Sequence, residues 1–394
     1  MSTALRLGTL YAAMFTATGC AIPYLPVLLR ELGFTGTQIA LVFSAPMLAR
    51  VVSGPLIAAW ADRFQRRRTP AAILLLVAAV AFTAAGITRD FGVMLAAGFV
   101  WGTAQPAAVP LTDVMTLRRA RREGFDYGWP RGMGSVAYIA SNMAWGALLA
   151  LAGARAVPWF AVACLMAGAA VALWLIPPEP VHDETPPEGA GRFDGVHALL
   201  GNRTYVLAIS AAGLVTASHA YFYSFSTLLW TGEGVPAWVV GLLWGFGVAV
   251  EVLFLWFMRP WRDRLGPERL LLLAAGAGVF RWIATALQPP LWLLFPLQGL
   301  HALTFAAAFV AGLQLIERST PARHASLAQT LSSAWASGLL IGLATLASGP
   351  LYDRFGAWGY LMPAGMCLLA LGLAWALTRQ PQTSAVGGST TEPT

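Results

Sequence analysis

Three successive apolar segments each carry one ionisable side chain: Glu251 in GVAVEV, Arg281 in GVFRW and His301 in LHALTF. A charge at mid-bilayer costs about 2.5–3.5 kcal/mol on insertion scales, so it is kept only where it is paired or faces water or a ligand. A carboxylate, a guanidinium and an imidazole so placed can pass a proton or hold a charged solute. They can equally form a fixed structural triad that never changes charge. Arg50, Asp113 and Arg131 are further charges inside or at the edge of apolar segments. At about 1.5 Å per residue, Arg50 lies about 18 Å deep counted from Asp62, and Asp113 about 8 Å inside the edge marked by the Arg run that follows it. Arg50 then lines a substrate cavity, or it partners a buried acid or backbone carbonyls. Asp113 and Arg131 bind solute or form a salt bridge at a helix end. Tyr138, seven residues after Arg131, shares its helix face. His219 stands beside Tyr221, Phe222 and Tyr223, as cavity lining or as hydrogen-bonded packing. Gln105, Asn142, Trp244 and Trp282 are further candidates for the lining. Three embedded Arg against two embedded acids leave the region one charge positive before its His residues are counted. An anionic substrate balances that excess, and the aromatic side chains suit an aryl body.

The elements that must position these groups are membrane helices. The chain of 394 residues is 57% hydrophobic and 11% charged, where a soluble domain averages about 25% charged residues. All 25 basic residues are Arg, for the sequence has no Lys. That excludes an ATP pump with a phosphate-loop Lys and any Lys Schiff base. The net charge of +7 is assigned to Arg in cytoplasmic loops, and no nucleic-acid partner is expected. Cys20, Cys164 and Cys367 lie far apart in apolar segments and are expected to be free thiols. No metal site and no cofactor are expected. The strings G-x-S-G with His and H-E-x-x-H, which intramembrane proteolysis or zinc hydrolysis would need, do not occur.

Twelve spans are expected, near 5–29, 36–61, 70–88, 91–117, 131–153, 156–176, 203–231, 237–258, 268–288, 290–316, 324–349 and 357–378, each about 20 mostly apolar residues long. The first is expected to be retained rather than cleaved as a signal peptide. The polar, Pro-rich stretch PPEPVHDETPPEGAGRFDG divides the chain. The expected fold is all-α and polytopic, with two six-helix bundles at 1–178 and 201–380, a cytoplasmic linker at 179–200 and a disordered tail at 381–394. With the N-terminus inside, eighteen Arg fall in cytoplasmic segments, including Arg63, Arg66, Arg67 and Arg68, and only Arg30, Arg89, Arg155 and Arg354 fall outside. The positive-inside rule then places both termini in the cytoplasm.

An internal repeat supports the division. ADRFQRRR follows the second span and RDRLGPER the eighth, so Asp62-Arg63 and Asp263-Arg264 occupy corresponding places. Parallel repeats of this kind belong to transporters whose halves rock about a midplane site. The first loop resembles the D-R-x-G-R-R/K signature of the major facilitator superfamily, with Gln65 in place of Gly and Ala58 in place of the Gly four residues before the Asp. The ordered stretches GCAIPYLPVLLRELGFTGTQIALVFSAPMLAR, PLTDVM, FDYGWPRGMGSVAY, SHAYFYSFS, GVAVEV, GVFRW and LHALTF resemble the branch containing lactose permease and the 3-phenylpropionate permeases.

That resemblance implies roles. Asp113, Arg131 and Glu251 match the sugar-binding groups of lactose permease, and Tyr138 its stacking aromatic. Arg281 and His301 match its proton-coupling pair. Arg50 matches the phenylpropionate permeases and is absent from lactose permease. Asp62, Arg63, Arg66, Arg67, Asp263 and Arg264 match the conformational loop motif. Thr304 stands where lactose permease has a Glu, Gln298 where it has a Lys, and the seventh span has no carboxylate. The proton carrier is therefore expected among Glu251, Asp113 and His301. The expected function is proton-coupled uptake of a small aromatic carboxylate such as 3-phenylpropionate, with Arg50, Arg131, Arg281 and His219 among its binding groups. The alternative is a neutral sugar or nucleoside, or drug export. The expected partners are the solute, a proton and the lipid of a bacterial inner membrane, with the chain acting as a monomer.

Overall fold

The structure, a computed structural model, describes residues 1–178 and 195–380. Most of the expected linker, and the whole of the expected tail, lie outside the described residues. Every regular element described is helical. The first part contains α1 (Thr3–Glu31), α2 (Gly36–Ala61), α3 (Arg68–Ile87), α4 (Phe91–Glu123), α5 (Gly128–Ala152) and α6 (Ala156–Ala170), the last extended by a π turn over Val171–Leu175. After the short α7 (Val196–Gly201) come α8 (Arg203–Ala217), α9 (Ala220–Gly232), α10 (Ala237–Phe257), α11 (Arg259–Leu265), α12 (Pro267–Ala286) and α13 (Leu291–Gly299). The chain then runs through a π segment at Ala302–Ala307 into α14 (Ala308–Ser319). It continues as α15 (Ala325–Ser333), a π segment at Ala334–Leu340, α16 (Ile341–Phe355) and α17 (Leu361–Thr378).

Eleven of the helical stretches described are long and apolar enough to cross a membrane. One of them, Ala325–Thr378, is 54 residues long, and Gly356 at φ 51° turns the chain between α16 and α17. Local chemistry sets the ends. Thr35 and Gln38 form a capping box at the start of α2, and the Asp90 carboxylate caps α4. The α4 helix continues past the expected end at 117, because its Arg run is helix-compatible and Arg119 pairs with Glu123 at 2.8 Å. It stops at Gly124, which supplies φ 73° at no steric cost.

Two expected spans are interrupted. The seventh breaks between α8 and α9 at Ser218 and His219, and the tenth breaks at Leu300 and His301 before its π segment. No Gly or Pro stands at the first break. There Ser218 Oγ donates to the Val215 carbonyl at 2.7 Å, and His219 Nδ1 lies 3.2 and 3.1 Å from the Val215 and Thr216 carbonyls. Side chains have taken over helix acceptors.

Helices α1 to α6 pack on one another, and α8 to α17 form a second group. The groups meet where α5 crosses α10 and α2 lies along α16. A Cβ on Gly146 would lie 2.7 Å from the Ala237 carbonyl oxygen, and one on Gly241 2.6 Å from that of Asn142. Only glycine permits this approach of backbones. Large apolar side chains such as Val80, Leu151, Trp174, Trp256 and Trp292 point outward, as a lipid-facing surface requires.

Candidate functional site

The two helix breaks deliver their His residues to the fully buried Arg281 of α12. Arg281 Nη2 donates to Gln298 Oε1 at 2.9 Å, and Nη1 donates to Thr304 Oγ1 at 2.8 Å. Nη1 also lies 3.3 Å from His219 Nε2 and 3.4 Å from His301 Nδ1. The guanidinium sits over Trp282 at 4.4 Å and Phe222 at 5.4 Å. His219 Nδ1 faces two carbonyls, so it carries the proton, and Nε2 is left as an acceptor for Arg281 and Thr304. By the same logic His301 Nδ1 accepts from Arg281, and its Nε2–H donates to Glu251 Oε2 at 3.2 Å. Among the described residues no carboxylate pairs with Arg281 directly. Neutral acceptors hold this buried cation, as the cost of burying an unpaired polar group demands.

A second group lies in the first six helices. Asp113 Oδ1 accepts from Tyr11 at 2.6 Å and Tyr127 at 2.9 Å, and Arg131 Nε lies 3.9 Å away. The Arg131 guanidinium stacks 4.5 Å above Phe15 and 5.7 Å from the Tyr11 ring. Burial, and then the neighbouring Asp113 charge, push the Tyr127 hydroxyl above its ordinary pKa, which keeps it a donor. Tyr138 is half-buried on α5, and its carbonyl accepts from Asn142 at 3.0 Å. No hydrogen bond or ion pair among the described residues joins this group to Glu251.

Arg50 is different from both. It is half-buried on α2 and has no hydrogen-bond or ion-pair partner among the described residues. It lines a cavity of about 270 Å³ together with Tyr223, Phe305 and Phe309, so both groups of helices contribute walls. A larger hollow of about 470 Å³ between α3 and α4 is lined only by Ala, Val, Leu and Ile, several of them on the outer surface. It offers nothing to orient a solute.

The other expected lining residues are packing. Gln105 donates to the Met14 carbonyl at 3.2 Å and to Thr18 at 2.9 Å, and Trp282 donates to Ser218 at 2.9 Å while stacking on Tyr360. Trp244 stacks on Phe222. Asn142 is buried beneath Tyr24, whose hydroxyl reaches its carbonyl at 2.9 Å. At the loops, Arg67 lies 3.9 Å from Asp62, and Asp263 lies 3.6 Å from Arg259. Arg63, Arg66 and Arg264 are exposed. The last carbonyls of the sixth span are held by three other segments. Arg6 reaches Leu175 at 3.1 Å, Arg119 reaches Pro177 at 3.2 Å, and Arg68 reaches Ile176.

Two helical groups meet through glycine contacts, with half-buried charges in the first and a buried Arg in the second, which is the architecture of a two-halved membrane transporter. The profile of the MFS_1 like family matches residues 4–361, and the chain belongs to that family. It is similar to a maltose permease of Geobacillus stearothermophilus, 30% identical over 356 residues, covering 88% of this chain and 86% of that protein. It is also similar to a probable 3-phenylpropionic acid transporter of Escherichia coli (strain K12), 29% identical over 374 residues, covering 92% and 95%. Among solved structures, the nucleoside transporter NupG superposes with a TM-score of 0.84 at 18% identity, covering 97% of this chain and 100% of that one. The chain is a multi-pass membrane transporter and not an enzyme.

Proposed function

We propose that the chain takes up a small aromatic carboxylate, such as 3-phenylpropionate, together with protons. The observation that carries this reading is the partnerless Arg50 guanidinium opening onto an aromatic-walled cavity between the halves. At about 270 Å³ the cavity falls just below the usual range for small-molecule sites, roughly 300–1,000 Å³. In this reading the carboxylate docks on Arg50 while its ring lies among Tyr223, Phe305 and Phe309. Asp113, Arg131 and Tyr138, which lie outside the lining of this cavity, join the binding groups on the first half as the halves move. Glu251, hydrogen-bonded through His301 to Arg281, carries the proton, with Asp113 as a second acid. His219 and Arg281 act on the site through this network. The maltose permease and NupG likenesses support a second reading, a neutral sugar or nucleoside, and export of drugs is the third.

The architecture in this reading is twelve spans in two bundles, 1–178 and 201–380, joined by a cytoplasmic linker at 179–200. The long Ala325–Thr378 stretch supplies two of the spans. Both termini and the motif loops at Asp62, Arg63, Arg66, Arg67, Asp263 and Arg264 face the cytoplasm of a bacterial cell, and the protein works as a monomer in the inner membrane. Uptake of labelled 3-phenylpropionate into vesicles tests the cargo and the coupling. We expect accumulation that follows an imposed inward proton gradient and is lost in Arg50→Ala. Accumulation independent of the gradient would remove coupling. Binding of maltose or nucleosides, with no effect of aromatic acids in a thermal-shift panel, would move the assignment to the second reading.

A further inference from the structure

Helix α2 begins with four backbone N–H groups that have no partner inside the helix. Its own cap serves only two of them. Gln38 N donates to Thr35 Oγ1 at 3.2 Å, and Thr35 N donates to Gln38 Oε1 at 3.0 Å. The other two are served from the opposite half of the molecule. Gly36 N donates to Asp353 Oδ1 at 2.7 Å, and Thr37 N donates to Asp353 Oδ2 at 2.8 Å. The Thr37 hydroxyl adds a third bond to Oδ2 at 2.9 Å. Asp353 lies near the end of α16, at the end of the molecule away from the Arg-rich loops. One carboxylate thus completes the N-terminus of a helix in the other half, where the helix dipole favours a negative charge.

The seam continues from this contact toward the cavity. A Cβ on Gly349 would lie 2.6 Å from Thr37 Cα, one on Gly342 2.7 Å from Leu48 and one on Gly338 2.8 Å from Val51. Arg50 therefore sits on the stretch of α2 that α16 and the preceding π segment clasp. Ser337 and Ile341, on the other side of the seam, line the same cavity.

We propose that Asp353 is a latch, released and remade once per transport cycle, which holds this end of the molecule shut while the cavity communicates with the other end. Separating α2 from α16 strips the carboxylate of three donors and returns two backbone N–H groups to water. Asp353 is exposed, so water replaces those bonds readily and the contact is reversible. Because α2 carries both the latched terminus and Arg50, opening the latch shifts Arg50 against Ser337 and Ile341. The inference rests on membership of the transporter family and not on the cargo or on proton coupling.

The test uses the purified full chain in lipid nanodiscs, with Cys20, Cys164 and Cys367 replaced by Ala and one reporter, Thr345→Cys. Thr345 is buried in the seam beside Met47 Sδ at 3.6 Å. Its alkylation by N-ethylmaleimide reads how often the seam opens, with no substrate present. We expect alkylation about five- to tenfold faster in D353N and D353A, the shift that losing a helix cap of about 1 kcal/mol produces. D353E, which keeps the carboxylate, stays within about twofold of the parent. Equal rates in the parent and D353N overturn the latch. D353N has nearly the shape of Asp, and it decides the matter where D353A does not accumulate.

Discussion

Glu251 and Arg281 do not touch: His301 stands between them, 3.2 Å from the carboxylate and 3.4 Å from the guanidinium. A half-buried carboxyl and a buried guanidinium are thereby joined through a neutral ring rather than paired directly. His301→Ala is expected to leave Glu251 without this donor and to cost about 1–3 kcal/mol of stability. It is also expected to flatten the pH dependence of uptake. Thermal unfolding and a pH profile of transport check the two parts separately.

Thr304 is central to the same network: its hydroxyl accepts from Arg281 at 2.8 Å and donates to His219 Nε2, 3.1 Å away. Thr304→Val keeps its shape and removes the hydroxyl. The stranded Arg281 donor should cost about 1–3 kcal/mol, while Thr304→Ser should stay close to the parent. Unfolding midpoints of the two variants provide the comparison, and equal midpoints would contradict the assigned bonds.

The half-buried Arg50 and the buried Arg281 should answer mutation in opposite ways. Arg50 has no partner, so Arg50→Met should change stability by less than about 0.5 kcal/mol. Its effect should appear in affinity for an aromatic carboxylate, a loss of about 1.5–3 kcal/mol or roughly ten- to hundredfold. Arg281→Ala should instead destabilise the fold by about 1–3 kcal/mol, because Gln298, Thr304 and both His rings lose their donor. Thermal unfolding alongside isothermal titration separates the two behaviours.

Tyr127 donates to Asp113 at 2.9 Å, so Tyr127→Phe should cost about 1 kcal/mol near neutral pH. Burial and Asp113 raise the hydroxyl's pKa in the fold. Its contribution is therefore fully present below the unfolded value, about 10, and is lost as pH rises through the higher folded value. The difference in unfolding midpoint between the parent and Tyr127→Phe should be constant from pH 6 to 9 and shrink only under strongly alkaline conditions.

Much of the charged core was legible because a lone Glu, Arg or His in an apolar segment is conspicuous. Glu251, Arg281, His301 and His219 do come together, and Asp113 does meet Arg131. Their neutral partners were not legible. Tyr11 lies 102 residues from Asp113, and nothing in a Tyr near a helix start announces such a contact. Thr304 was visible only as a missing carboxylate, whereas in the fold its hydroxyl accepts from Arg281 and donates to His219. The break at Ser218 and His219 was hidden for a related reason. It arises from side chains bonding to carbonyls three and four residues back, and no Pro or Gly marks it. The Asp353 contact joins positions more than 300 residues apart, and only the packing of α2 along α16 brings them together.

The three Arg side chains that reach the end of the sixth span come from Arg6, Arg68 and Arg119, on α1, α3 and α4. They tie the exit of the chain to three neighbours within its own half. The first half thus fastens its own last span from three of its own helices. A split gene, with the chain interrupted between 178 and 195, should accordingly yield two fragments that find each other in the bilayer and sediment as one particle.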